Sequence, residues 1–483
     1  MERSKNIFGN EISDKVYNKA VRAKKKHIKK FGDDSNSVYH LSVSDNATLS
    51  PFIGIKNIVT TEGTESINTD KGIIIGNIRM GFGHYRISMA IASAAYSMGY
   101  TPYWFDLNSY SETTGGKVIA HLNSLYSMGS RWSQKYPIFN KLYWEPLNSE
   151  GFRKLSYNAM DQKISELMTP IFKELPKNMP FIATHVWPAQ AAIHAGMKKV
   201  VNVIPDNWPM ALHLAEGSIH TVQTPSAFLG YKTLKGMDGK KILKPIPDKQ
   251  IYEVGHYIDH ELVINLDGDC EKRLDRIKNN ETKRILLTVG GAGAQKEIFA
   301  KIIQNLMPHV KEKRVAIYIN VGDHKDVWEG LCEEIPELSS ISLNYFNDWS
   351  KTCDFAKMAL DNEISGIHAF YNEDIFAAVY SSNFLMRSCD ILITKPSELA
   401  FYPVPKLLIK RVGGHEAWGA VRASEVGDGT IECETFGKTL QMLHLMINGD
   451  EILTMLCNNI IKANKIGLYN GAYKVIELAT RKL

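Results

Sequence analysis

Cysteine pairs are missing from this sequence. Its six cysteines, Cys270, Cys332, Cys353, Cys389, Cys433 and Cys457, are scattered through the second half with no CxxC spacing. That pattern excludes a zinc knuckle and argues against a disulfide framework; reduced thiols, no metal and a cytoplasmic setting are expected. Long apolar runs are missing too. No stretch approaches the roughly 20 residues of a membrane span, and the polar start "MERSKNIFGNEISDK" does not read as a signal peptide. Any membrane contact is therefore expected to be peripheral, from the inner face. An excess of one charge is also lacking: 57 Lys and Arg stand against 52 Asp and Glu, a net +5. This is too little to suggest nucleic acid, but it suits an anionic ligand or an anionic lipid surface. There is no short-period repeat and no low-complexity tract.

What the chain has is alternation. At 483 residues with 44% hydrophobic content, two domains are the natural expectation. Residues 1–70 read as an N-terminal extension, with a basic cluster at Lys24, Lys25, Lys26, Lys29 and Lys30. "KGIIIGNI" then reads as a buried strand, followed by a helix with Ile87, Ala90, Ile91, Ala94 and Ala95 on one face. "YTPYWFDL", "PFIATH" and "KVVNVIPD" supply further strands, with "VWPAQAAIHAGMK" a helix between the last two. Strands alternating with amphipathic helices predict parallel sheets covered on both faces. The polar stretch over 266–283 reads as a linker. The pattern restarts with "RILLTV" and continues through "RVAIYINVG", "CDILITKP" and "VPKLLIK". The expected domains are thus 71–265 and 284–433, with a helical tail over 434–483.

In open α/β sheets ligands bind beyond the carboxyl ends of the strands, where glycine loops feed helix N-termini. Four places qualify. In "GNIRMGFGHYRIS", Gly81 and Gly83 permit close backbone approach and His84 titrates near neutrality. The third glycine of the dinucleotide fingerprint is absent. In "TVGGAGAQKE", the main chain at Gly290, Gly291, Ala292 and Gly293 offers amides to a diphosphate, and no GK[ST] follows, so this is not a P-loop. In "ITKPSELAFYPVPKLLI", Glu398 stands just past a strand, where a carboxylate can take both hydroxyls of a ribose. Equally, "PSEL" reads as a helix start. In "RVGGHEAWGAVRASE", paired glycines including Gly414 precede His415 and Glu416 at a helix start, which suits sugar hydroxyls as well as a plain capped helix.

The order of these motifs resembles that of the GT-B glycosyltransferases, whose fold is two Rossmann-like α/β domains facing a cleft. The likeness is greatest to the branch of MurG-type N-acetylglucosaminyltransferases and monogalactosyldiacylglycerol synthases, and runs over about residues 72–430. "SELAFYPVP" is similar to the family's "SEIAAAGLP", which implies that Glu398 binds ribose. "GGHEAWGA" resembles "GQExxN", placing Gly414, His415 and Glu416 at the donor sugar. "LTVGGAGA" resembles the "GGSQGA" diphosphate loop, with Ala292 in place of serine. "ATHVWPAQAA" resembles "THPxPAxAA", which puts His185 on the acceptor side with Gly81 and Gly83, and Asp206 matches an aspartate of the next segment, where His213 is only roughly placed. Phe370 and Tyr371 are the candidates for base contact.

The resemblance implies a metal-independent transfer of a sugar from a nucleoside diphosphate sugar, with uridine as the expected base, to an acceptor hydroxyl of a lipid or glycan, with inversion. The donor is a substrate and no cofactor is expected. His84 is the candidate base, with Asp206 orienting a histidine or serving as base itself. "SRWSQKYPIFNKLYWEPL" interleaves Arg131, Lys135 and Lys141 with Trp132, Tyr136, Phe139, Tyr143 and Trp144, a mixture that suits a membrane headgroup layer or an aromatic-rich helical pair. Two alternatives remain open: a nucleotide-sugar 2-epimerase and a nucleotide-sugar-binding protein without catalysis.

Overall fold

A computed structural model describes residues 2–61, 65–144, 146–290 and 295–481. Two α/β lobes each carry one large sheet. In the N-terminal lobe the spatial order of the eight strands is Ile251–Glu253, Ile219–Val222, Lys199–Val203, Pro180–Ala183, Gly72–Asn77, Thr101–Asp106, Lys56–Val59 and Ser42–Asp45. All neighbours are parallel except the last pair. The six-stranded sheet of the second lobe is wholly parallel, ordered Ser342–Phe346, Gly366–Tyr371, Val315–Asn320, Lys283–Thr288, Ile391–Thr394 and Lys406–Leu408. This is the two-lobed GT-B arrangement.

Both central strands are apolar on both faces because both faces are covered. Ile73 and Ile75 pack with the helix Phe82–Ser97, while Ile74 packs on the other side with Phe105, Phe172 and Phe181. Likewise Ile285 and Leu287 face one core of the second lobe and Leu286 the other. Parallel pairing puts the loops that follow the strands at one end of each sheet.

Three expectations about organisation change. The first seventy residues are built into the first lobe: Ser42–Asp45 and Lys56–Val59 extend its sheet. The basic helix Asp14–Phe31 packs on Leu155–Ser165, with Lys24 bonded to Glu166 at 2.6 Å. The stretch 266–283 is no linker. The helix His260–Lys278 occupies most of it, burying Leu262, Leu266, Cys270 and Ile277 in the second lobe. Its polar look came from Arg273 and Arg276, which are themselves buried against carbonyls and Asp390. The tail also divides. Phe436–Asn448 and Glu451–Lys465 pack on the second lobe, and Gly471–Thr480 crosses back onto the helix Phe82–Ser97 of the first.

Candidate functional site

The loop after the central N-lobe strand forms one wall of the cleft. Gly81 takes a φ of +84° as N-cap of the helix Phe82–Ser97, whose first turn has no side-chain cap; that backbone conformation favours glycine. Gly83 lies in the first turn, where an added Cβ would come 3.4 Å from Oε2 of Glu398 in the other lobe. His84 donates from Nδ1 to the Thr184 carbonyl at 2.6 Å, which leaves Nε2 as the basic nitrogen of the neutral ring. Burial lowers the His84 value below the usual 6.5, outweighing the opposing pull of the Thr184 carbonyl and Asp206. The ring is therefore neutral at pH 7.

His84 also lies on the wall of a cavity of about 680 Å³ enclosed by the first lobe. The helix Thr114–Lys135 and the helical turns running on to Gly151 form one side of it; Leu155–Ser165 and the start of Val186–His194 form the other. Most of the lining is apolar, with aromatic walls from Trp132, Phe139, Tyr143, Phe152, Tyr157 and Trp187. His84, His185, Asp206 and His213 bring polar groups to the same space. His185 meets His84 edge to face at 4.9 Å and accepts from the Trp187 amide as helix cap. Burial, with His84 and His213 beside it, holds His185 well below the ordinary value. Asp206 stands 3.2 Å from His213 Nε2. His213 Nδ1 is in turn 2.6 Å from the Tyr231 hydroxyl, which donates to the Trp208 carbonyl. The expectation that Asp206 serves a histidine thus has a partner, His213.

The facing wall comes from the second lobe. Gly290 follows the strand Lys283–Thr288; Gly291, Ala292 and Gly293 lie outside the described residues. An added Cβ at Gly290 would come 3.2 Å from Cε of Lys395, so this lysine lies across the loop. Its ammonium pairs with Glu416. Burial pulls Lys395 down, but Glu416 and Glu398 together more than offset this and raise it above its usual value. Glu398 stands in the cleft, 3.8 Å from Arg86 Nε of the first lobe. Arg86 itself is buried and donates to Asn383 at 2.7 Å and to the Val379 carbonyl.

Glu416 was expected at the donor sugar. Its carboxylate is engaged by the protein itself: it holds Lys395 and accepts from the amides of Val412 at 2.7 Å and Gly413 at 3.2 Å. It thereby fixes the turn that Gly414 opens. The His415 side chain lies outside the described residues. Phe370 is corrected: it is 0% exposed and stacks on Tyr345 at 4.8 Å within the core, leaving no ring face for a base. Tyr371 is 6% exposed, packed edge-on against Phe346 with its hydroxyl directed to Glu373.

Several residues of the site escaped the sequence reading. Lys395 was in plain view inside "TKPSEL", and its place at a strand end was the signal. Arg86 sits two residues past His84, and a cation in the opening turns of that helix was legible. Asp161, buried on the cavity wall, and the Trp208–Trp418 stack between the lobes at 5.6 Å carried no signal, because only tertiary folding brings them into place.

Residues 6–233 match a family model described as a domain of unknown function, DUF6937, and residues 246–480 match a second, DUF6938. No curated protein matches the chain. Among solved structures, a UDP-GlcNAc 2-epimerase from Neisseria meningitidis bound to UDP-GlcNAc is 12% identical with a TM-score of 0.44, over 84% of this chain and 99% of that one. An α,α-trehalose 6-phosphate synthase from Burkholderia multivorans is 9% identical with a TM-score of 0.35, over 67% of this chain and 74% of that one. A glycosyltransferase from Rickettsia africae is 12% identical with a TM-score of 0.36, over 85% of this chain and 100% of that one. Likeness of this degree carries nothing about activity.

Proposed function

We propose that this chain moves a sugar from a nucleoside diphosphate sugar, with uridine as base, to a hydroxyl of an apolar acceptor held in the first-lobe cavity. The observation that carries the proposal is one juxtaposition. Glu398 lies against Gly83 across the cleft, Lys395 lies against Gly290, and His84, next to Gly83, lines an apolar cavity. Glu398 takes the ribose diol. Lys395 and the Gly290 main chain face the diphosphate, whose charge grows as the bond to the anomeric carbon breaks. The acceptor oxygen bonds to that carbon from the opposite face, with inversion, and its proton passes to His84 Nε2. Asp206, fixed by His213, lies near enough to favour the imidazolium electrostatically. The scheme calls on no cofactor. It is the chemistry implied by the resemblance to the MurG and monogalactosyldiacylglycerol synthase branch, and the apolar cavity supports the lipid-like end of that range of acceptors.

The test combines binding and turnover. Uridine diphosphate should raise the melting temperature, since it binds only the folded state, and His84→Ala should keep that shift while losing about 100-fold or more in transfer. Because His84 is lowered, transfer should be flat above neutrality and fall only as pH drops through its depressed value, when the base becomes protonated. Undiminished turnover in His84→Ala would remove it from the mechanism.

A second reading rests on the Asp206–His213 pair. An acid and a base on the first-lobe wall also suit epimerisation at the second carbon of a donor sugar that reaches them. Incubation with UDP-N-acetylglucosamine alone separates the two: an epimer appearing without any acceptor favours that reading over transfer.

A further inference from the structure

One group on the cavity wall has no part in this scheme. Asp161 is 3% exposed, and no Lys, Arg or His pairs with its carboxyl among the described residues. It sits on the inner face of the helix Leu155–Ser165, one turn after Tyr157 and one turn before Ile164, so all three look into the same space. Trp187 lines the cavity too, with its indole beside the Asp161 carboxyl. No Lys or Arg lines the cavity among the described residues. Two of its titratable groups are acids, and two of its histidines, His84 and His185, are kept neutral by burial.

A buried acid with no cation beside it is expensive, and where a hydrogen bond alone is needed an amide or hydroxyl serves at lower cost. An acid is what a cation requires. We propose that the cavity takes an amphiphile bearing a basic amine, whose ammonium pairs with Asp161 between the faces of Tyr157, Trp187 and Phe152. Aromatic faces add to the attraction of a desolvated cation. Burial pushes the Asp161 carboxyl up to about 8, against the opposing hydrogen bond of the Trp187 indole. Near neutral pH the acid is therefore largely protonated, and it ionises when the ammonium arrives. The inference deepens the acceptor side of the proposed transfer and rests on that reading for its role, though not for the binding itself.

The test compares decylamine, decanol and decanoate by titration calorimetry on the full chain. Decylamine should bind at least about tenfold more tightly than decanol, and decanoate should not bind, as expected for a buried ion pair against a neutral contact. At pH values where free decylamine is already charged, binding expels the Asp161 proton. Its affinity should therefore rise roughly tenfold per pH unit between pH 6 and about 8, then level off. Asp161→Asn should erase the preference and the pH slope while keeping decanol binding. This variant is also expected to fold well. Native Asp161 keeps a proton that the unfolded chain releases above its ordinary value of 3.8, so the parent loses stability as pH rises toward 8 and the asparagine variant does not. Its melting-temperature advantage should grow from pH 5 to pH 8. Equal affinity for decanol, a preference for decanoate, a preference that survives Asp161→Asn, or no binding of any probe would overturn the inference. Uridine diphosphate should shift both proteins alike. If it shifts neither, the donor site fails while the amine result stands or falls by itself.

Discussion

At the scale of single residues the site depends on charges whose partners come from distant parts of the chain. Lys395 is the clearest case. Its stem crosses Gly290, and its ammonium is held between Glu416 and Glu398. Replacing it with glutamine keeps the length and removes the charge. A charge-assisted hydrogen bond contributes about 1.5–3 kcal/mol, so Lys395→Gln should weaken uridine diphosphate binding roughly ten- to hundredfold. Uridine, which has no phosphate, should bind the variant as it binds the parent. Equal losses for both ligands would mean that the lysine merely supports the Gly413–Glu416 turn. Calorimetric titrations of the two ligands read this directly.

Elements show how far local pattern reached. The GIIIG strand, its glycine loop and the helix after it were legible because apolar period and glycine placement are local properties, and the loop's position at a strand end followed from the α/β alternation. The SE couplet was legible for the same reason. Phe370 was misplaced because an aromatic residue at a strand end looks alike whether it faces a ligand or a neighbouring strand; only the register with Tyr345 decides it. The helix His260–Lys278 was missed because buried arginines disguise an apolar face when their charges are met by main-chain carbonyls. The helical turns from Thr114 to Gly151 were ambiguous, and the structure shows why. They present Met128, Trp132 and Phe139 to the cavity, while Ile138 and Leu142 are 75% and 73% exposed. The side chains of Arg131, Lys135 and Trp144 lie outside the described residues. Exposed Ile138 and Leu142 beside exposed Lys141 are the mixture that suits the interfacial layer of a membrane. On flotation with anionic liposomes the parent should co-migrate with the lipid. The triple variant Trp132→Ser, Ile138→Ser, Leu142→Ser should stay behind, with its uridine diphosphate shift unchanged. Equal recovery of both would leave this surface to another partner.

The whole molecule is a pair of lobes pinned at both sides of the cleft. On one side Arg79 pairs with Asp323, and Phe82 packs over Gly322 and lies 5.8 Å from the His324 ring. On the other, Trp208 stacks on Trp418 while Arg153 lies over the Trp208 face. Behind both, the helix Gly471–Thr480 ties the end of the chain to the first lobe. The pins differ from the tie in kind. Arg79 and Trp418 are partly exposed, so each contact is weak: about 0–1 kcal/mol for the ion pair and about 0.5–1.5 kcal/mol for the stack. The crossing helix buries Ala472, Val475, Ile476 and Ala479 completely or nearly so, which fixes the hinge rather than the mouth. A cleft with weak contacts at its mouth, hinged by the crossing helix and by the packing of Phe52, Tyr85 and Arg86 on Trp349, Phe376, Phe384 and Asn383, can admit a nucleotide sugar by opening at the mouth alone. Removing both pins, with Arg79→Ala and Trp418→Ala together, should raise the open population by roughly 2- to 60-fold, the sum of the two terms. Hydrogen exchange should then quicken at the mouth, in residues 78–84, 205–210 and 320–324. Amides of the central strands Gly72–Asn77 and Lys283–Thr288 should keep their protection. If the double variant instead loses protection through both sheets together, the two contacts hold the fold itself and the lobes do not move as separate bodies.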